Sequence, residues 1–190
     1  MTITITLNEI KSFNPCRRGW EELLTSLNKT KSDDTPVTFS YIAESNSVSD
    51  SLWCLRVLSK KYLKERCYLM AEMAESVAYL YTKDAKVDEC IKAIKEYGAG
   101  VITIEELNKK KDAVYASYVA VKAYPSTASA SVVYAVYASY ASASYASVVD
   151  ADAFVESYPS TAAVYALSAT SADVEVEREK QKALIKKYLG

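Results

Sequence analysis

Val114-Tyr-Ala-Ser-Tyr118 and Val136-Tyr-Ala-Ser-Tyr140 stand 22 residues apart, and Tyr134-Ala135 returns as Tyr145-Ala146 after 11. These echoes decide the fold reading. Multiples of 11 bring residues back to nearly the same helical face, at about 3.67 residues per turn, whereas a half-buried strand needs sustained alternation. Alternation is scarce here, so the tract reads as helix, although Val, Tyr and Ser favour helix less than Ala does. From Ala113 to Ala172 the chain is almost wholly Ala, Ser, Tyr and Val. Gly is absent there, and charge is confined to Lys122, Asp150, Asp152 and Glu156. Small residues let helix axes approach closely, and Tyr rings fill the remaining gaps.

Tyr124-Pro125-Ser126-Thr127-Ala128 recurs as Tyr158-Pro159-Ser160-Thr161-Ala162. Pro is tolerated at a first helical position, so Tyr-Pro punctuates the helices. The 34-residue separation equals the tetratricopeptide period, but the Trp, Gly and Leu signature of that repeat is missing.

Upstream, residues 1–112 read as a helical head. Thr2 to Leu7 alternates Thr and Ile, which fits a short strand. It fits equally an extended lead-in to Thr6-Leu-Asn-Glu9, which has capping-box spacing, and the lead-in is favoured. Short helices follow over Leu7–Phe13, ending at Asn14-Pro15, and through Trp20, Leu23, Leu24 and Leu27. Asn28 to Pro36 reads as a loop. Further helices hold Phe39, Ile42 and Ala43, then Val48 to Leu58, then Tyr62 to Tyr81 with Leu69, Met70, Met73, Val77 and Leu80 inward. Asp84 to Tyr97 makes another, with Gly98 expected as its left-handed cap. Thr103-Ile-Glu-Glu106 opens the helix that runs into the Ala-rich tract. Val174 to Leu189 is a charged helix placed to cap the array. The expectation is an all-α protein with a helical head (1–112), close-packed Ala/Tyr-rich helical repeats (113–172) and a charged C-terminal capping helix (173–190). The alternative is one continuous domain.

Composition removes several functions. Net charge is −1, and residues 1–112 carry 17 basic and 17 acidic side chains, so neither a nucleic-acid binder nor a DNA mimic is expected. No apolar run spans a bilayer, and the N-terminus lacks the regions of a signal peptide. Cys16, Cys54, Cys67 and Cys90 are irregularly spaced and read as reduced cytoplasmic thiols. His is absent, which removes the commonest general base and metal ligand. An enzyme is the least expected class, with no cofactor and no metal.

Four constellations could carry binding. Tyr134, Tyr137, Tyr140 and Tyr145 are the candidate contact residues, since Tyr offers large rigid area at low entropy cost; the competing reading packs these rings between helices. Lys60-Lys61 with Lys64 and Arg66, and Lys109-Lys-Lys111, could grip phosphate, against a solvated helix face. Asp33-Asp34 and the Asp150, Asp152 pair could hold a divalent cation, against loop or cap duty. Met70 and Met73, one turn apart, and Met1 default to packing.

The run Cys16, Gly19-Trp20, Leu23-Leu24, Leu27, Lys29, Asp33-Asp34, Pro36, Ser45-Asn46, Asp50 and Leu52-Trp53-Cys54-Leu55-Arg56 resembles a family of uncharacterised phage and prophage proteins. Members join this head to an Ala-rich helical tail and a charged end like Glu177-Arg-Glu-Lys-Gln181. The chain departs from them at Ser47, where Gly is common, and in the Tyr, Ser and Val that dilute its Ala. The tail also looks loosely like toxin-immunity proteins. The resemblance implies a small accessory protein in the cytoplasm of an infected bacterial host, with no catalytic residues to carry over. The leading expectation is a non-enzymatic inhibitor that binds a host defence protein, for example a CRISPR effector, and that self-associates through its repeats. The alternatives are a sponge for a small signalling nucleotide, with Lys60–Arg66 and nearby Tyr forming its pocket, and a toxin-immunity or structural interaction module.

Overall fold

The computed structural model describes residues 2–58, 60–77, 85–123, 130–148 and 174–190. Its architecture is all-α apart from one small two-stranded sheet. Thr4–Thr6 (β1) pairs antiparallel with Pro36–Thr38 (β2), matching Ile5 with Val37. The alternating N-terminus is thus a short strand, correcting the favoured lead-in, because Val37 gives Ile5 a partner that local sequence could not announce. The capping box is also present. Thr6 Oγ1 accepts from Glu9 N at 3.1 Å, while Thr6 N donates to the Glu9 carboxylate at 2.6 Å. It opens α1 (Leu7–Ser12).

Helices α2 (Arg17–Ser26), α3 (Phe39–Ser45) and α4 (Val48–Trp53) complete the front of the head. Thr38 and Ser47 cap α3 and α4 through their hydroxyls. The expected helix to Leu58 instead tightens to a 3₁₀ turn over Cys54–Val57, where Arg56 Nε donates to the Trp53 carbonyl at 2.9 Å. Next comes α5 (Leu63–Glu75), shorter than expected. Its C-cap Ser76 has Oγ 2.6 Å from Glu177 Oε1, so the end of this helix is tied to a distant one. Leu80 and Tyr81 lie outside the described residues.

Three long helices follow: α6 (Ala85–Gly98), α7 (Ile104–Ala123) and α8 (Ala130–Val148). Thr103 and Glu106 form the expected capping box on α7. Gly98 is not the left-handed cap. That role falls to Gly100, at φ +72°, with Gly100 N donating to Tyr97 O and Val101 N to Glu96 O, the two bonds of a Schellman ending. Gly98 serves close approach instead, because a Cβ there would stand 2.5 Å from the Cys67 Cβ on α5. Gly98→Ala is therefore expected to destabilise by about 2 kcal/mol despite its better helix propensity, since the opposing Cβ is fixed to backbone and cannot rotate away. Urea unfolding checks this; a neutral or stabilising substitution would show that the α5–α6 crossing yields readily.

Two cores meet on α5 and α8. Leu69, Met70 and Met73 of α5, with Ala141 and Tyr145 of α8, join Leu7, Phe39, Ile42, Leu52 and Leu55 in the first. Cys67, Ala71 and Ala74 of α5, with Ala138, Ala143 and Ala146 of α8, join Val87, Ile91, Ile94, Leu107 and Val114 in the second. Both helices present apolar residues on two sides, as a helix sandwiched between neighbours must. Among the described residues, no break between cores falls at residue 112. The final helix, α9 (Val174–Leu189), packs on α3, α4 and α5 and places Ile185 and Leu189 in the first core. Its buried stripe docks against α3 and α5 of the head.

Candidate functional site

The sequence-derived candidates settle mostly into structure. Tyr137 and Tyr140 of α8 are half-buried and face α7, with ring centroids 4.7 Å (Tyr137–Tyr118) and 5.0 Å (Tyr140–Tyr115) apart. Such tilted aromatic pairs add roughly 0.5–1.5 kcal/mol beyond area burial. Tyr145 is 3 % exposed. Its hydroxyl accepts from Arg66 Nε at 2.6 Å, and burial pushes it up to about 12 against the pull of that guanidinium. The Tyr134 side chain, the Tyr-Pro repeats, Asp150, Asp152 and Met1 lie outside the described residues.

The basic runs disperse. Arg66 turns inward, donating also to the Leu58 carbonyl at 2.9 Å, while Lys61 and Lys64 rest over Tyr62 and Tyr68. The Lys60 side chain is outside the described residues. Lys110 pairs with Glu89, and Lys111 donates to Asn108. Asp33 organises its loop. It pairs with Lys29, accepts from Thr35 N at 3.0 Å, and is held near 2 chiefly by the Lys29 hydrogen bond. Asp34 accepts from Asn8 Nδ2. Met70 and Met73 are fully buried. All four thiols are free of disulfides, and only Cys16 is exposed. No cluster of His, Cys, Asp or Glu able to hold a metal occurs among the described residues, nor is any described helix long and apolar enough to cross a membrane.

What the structure does assemble is a cleft where α2 meets α4. Asn14, in the left-handed region at φ 52°, and Pro15 turn the chain from α1 into α2. Cys16 caps α2, its Sγ accepting from Gly19 N at 3.4 Å. Gly19 then lets α4 close in. A Cβ at that position would stand 2.9 Å from Asp50 Oδ1 and 3.3 Å from Cys16 Sγ. Asn46 Nδ2 locks the approach by donating to the Gly19 carbonyl at 2.7 Å. Ser47 both caps α4 and holds the carboxylate: Asp50 N donates to Ser47 Oγ at 3.0 Å, and Ser47 Oγ donates to Asp50 Oδ2 at 2.7 Å.

The resulting cleft holds about 80 Å³ and is lined by Ile10, Pro15, Cys16, Gly19, Trp20, Leu23, Ile42, Asn46, Asp50, Trp53 and Cys54. Ile10, Leu23, Ile42 and Cys54 supply its buried part; Trp20 and Trp53, the only tryptophans in the chain, are half-buried. Burial first, and the nearby Asp50 second, push the Cys54 thiol up to about 12. Lys11 Nζ lies 5.1 Å from the Trp20 ring and the Arg56 guanidinium 4.0 Å from that of Trp53.

An apolar cleft with few fixed polar groups is what a ligand or a partner's anchor side chain requires. Sequence reasoning missed it as a site, although most of its lining residues lie in the stretch from Cys16 to Arg56 that carries the family resemblance. The available signal was the presence of both tryptophans and a Gly in that stretch. No protein-family model matches the chain, and no curated protein or solved structure matches it either.

Proposed function

We propose that the protein is a non-enzymatic binder that grips another protein through the Trp20–Trp53 cleft. In the setting implied by its resemblance to phage proteins, that partner belongs to a host defence system. The cleft is the observation that carries the reading: half-buried aromatic rings around a pocket are the usual form of an interface hot spot. The sponge reading draws less support from it, because the one full charge lining the cleft is the Asp50 carboxylate, which repels a phosphate. A toxin as partner, as in an immunity protein, would use the same cleft.

A phage-challenge panel in bacteria carrying different defence systems tests the proposal. The wild-type protein is expected to rescue phage growth against one system. Cys16→Ser is expected to rescue equally, and Cys16→Tyr, which plugs the mouth and costs about 1 kcal/mol of capping at most, to fail. Rescue by Cys16→Tyr at wild-type level, or by no form of the protein against any system, counts against the reading.

A further inference from the structure

We propose that the occupant of the cleft is a basic side chain, arginine or lysine, presented by the protein partner. The inference rests on the binder reading above and names the chemistry of what is bound. Three observations carry it. The walls are apolar and include both tryptophan rings, which suit the aliphatic stem and attract a cation through their π faces. Lys11 and Arg56 already rest over these rings, although neither lines the cleft.

The second observation is charge. Asp50 is the sole charged residue in the lining; on the outer face of α2, Arg17 pairs with Glu21, and Arg18 pairs with Glu22 while also feeling the Asp50 charge. The third is an open acceptor. Ser47 satisfies Asp50 Oδ2, whereas Oδ1 accepts no hydrogen bond among the described residues. The Ser47 bond orients the half-buried carboxylate so that Oδ1 lies beside Gly19. A carboxylate oxygen fixed beside apolar walls favours a donor that carries both a positive charge and an apolar stem, since charge-assisted hydrogen bonds are the stronger ones. A purely aliphatic anchor would leave Oδ1 desolvated; a phosphate or carboxylate would meet it as a like charge.

Because Trp20 and Trp53 are the only tryptophans, intrinsic tryptophan fluorescence reports on this cleft alone. The experiment titrates the full-length protein with n-butylguanidinium and n-butylammonium, with the neutral n-butylurea, and with butyl phosphate, at constant ionic strength. The cations are expected to give a saturable change with an affinity at least about fivefold above that of butylurea. Butyl phosphate is expected to give none. Asp50→Asn, which keeps a hydrogen-bonding partner for Ser47 and is checked for folding by circular dichroism, is expected to erase the preference. Butylurea binding as tightly as the cations overturns the basic-anchor inference while leaving the cleft a binding site. A preference that survives Asp50→Asn, or tighter binding of the phosphate, also overturns it. Absence of any saturable change overturns it too, and the Cys16 variants then decide the binder reading separately.

Discussion

Tyr145→Phe is expected to lower the unfolding free energy by about 3 kcal/mol, although it deletes a single oxygen. The reason is what that oxygen faces. Arg66 is 5 % exposed, has no carboxylate within ion-pairing distance among the described residues, and depends on Tyr145 OH at 2.6 Å and Leu58 O at 2.9 Å. Removing the hydroxyl leaves a buried guanidinium short of an acceptor, and a buried charge that loses its partner is among the costlier single changes. The double variant Arg66→Met with Tyr145→Phe is expected to be more stable than Tyr145→Phe alone, because the uncompensated charge is gone. Urea midpoints of the wild type, both single variants and the double variant check both statements. Additive destabilisation would show that the pair is not coupled.

Leu189→Ala is expected to cost about 3 kcal/mol, a core-sized loss at the penultimate residue. Leu189 is fully buried in the first core, and its carbonyl accepts from Ile3 N at 3.0 Å, joining the two ends of the described chain. Polar links reinforce the docking: Lys187 bonds both carboxylate oxygens of Glu72 at 2.8 and 2.7 Å, and Lys182 bonds Glu44 at 3.0 Å. These are exposed pairs and add little by themselves. Burial of the apolar side chains contributes more. A thermal melt of Leu189→Ala within a degree of wild type would mean that α9 is a dispensable appendage.

Local chemistry was legible in the sequence; what depended on distant partners was not. The capping boxes at Thr6–Glu9 and Thr103–Glu106 involve neighbours three residues apart, so spacing alone disclosed them. The helical character of α7 and α8 followed from the 11-residue echoes. Which way Tyr137, Tyr140 and Tyr145 point did not follow. Residues 141–146 of α8 are buried without exception, and a helix surrounded on all sides has no polar face to betray its orientation. Arg66 looked like part of a solvated basic run, and its burial is set by Tyr145, 79 residues away. Gly98 was expected as the cap, yet the left-handed residue is Gly100, and Gly98 is kept small by Cys67 across the helix crossing. The cleft has the same origin. Each residue in it reads as ordinary helix packing, and only the contact of Gly19 with Asp50 brings the two tryptophans around one space.

The binding role of that space is tested most directly by blocking its mouth with a small thiol reagent. N-Ethylmaleimide is expected to modify Cys16 alone, because Cys54, Cys67 and Cys90 are buried and burial pushes their thiols up to about 12. Native mass spectrometry would then compare complexes formed in bacterial lysate by the untreated and the modified protein, with Cys16→Ser carried through the same treatment. Modification at Cys16 is expected to lower the melting temperature by at most about 4 °C, through its cap on α2, and to abolish the protein complex, while treated Cys16→Ser retains it. A singly modified protein that still holds its partner at full stoichiometry would rule out the cleft as the binding site.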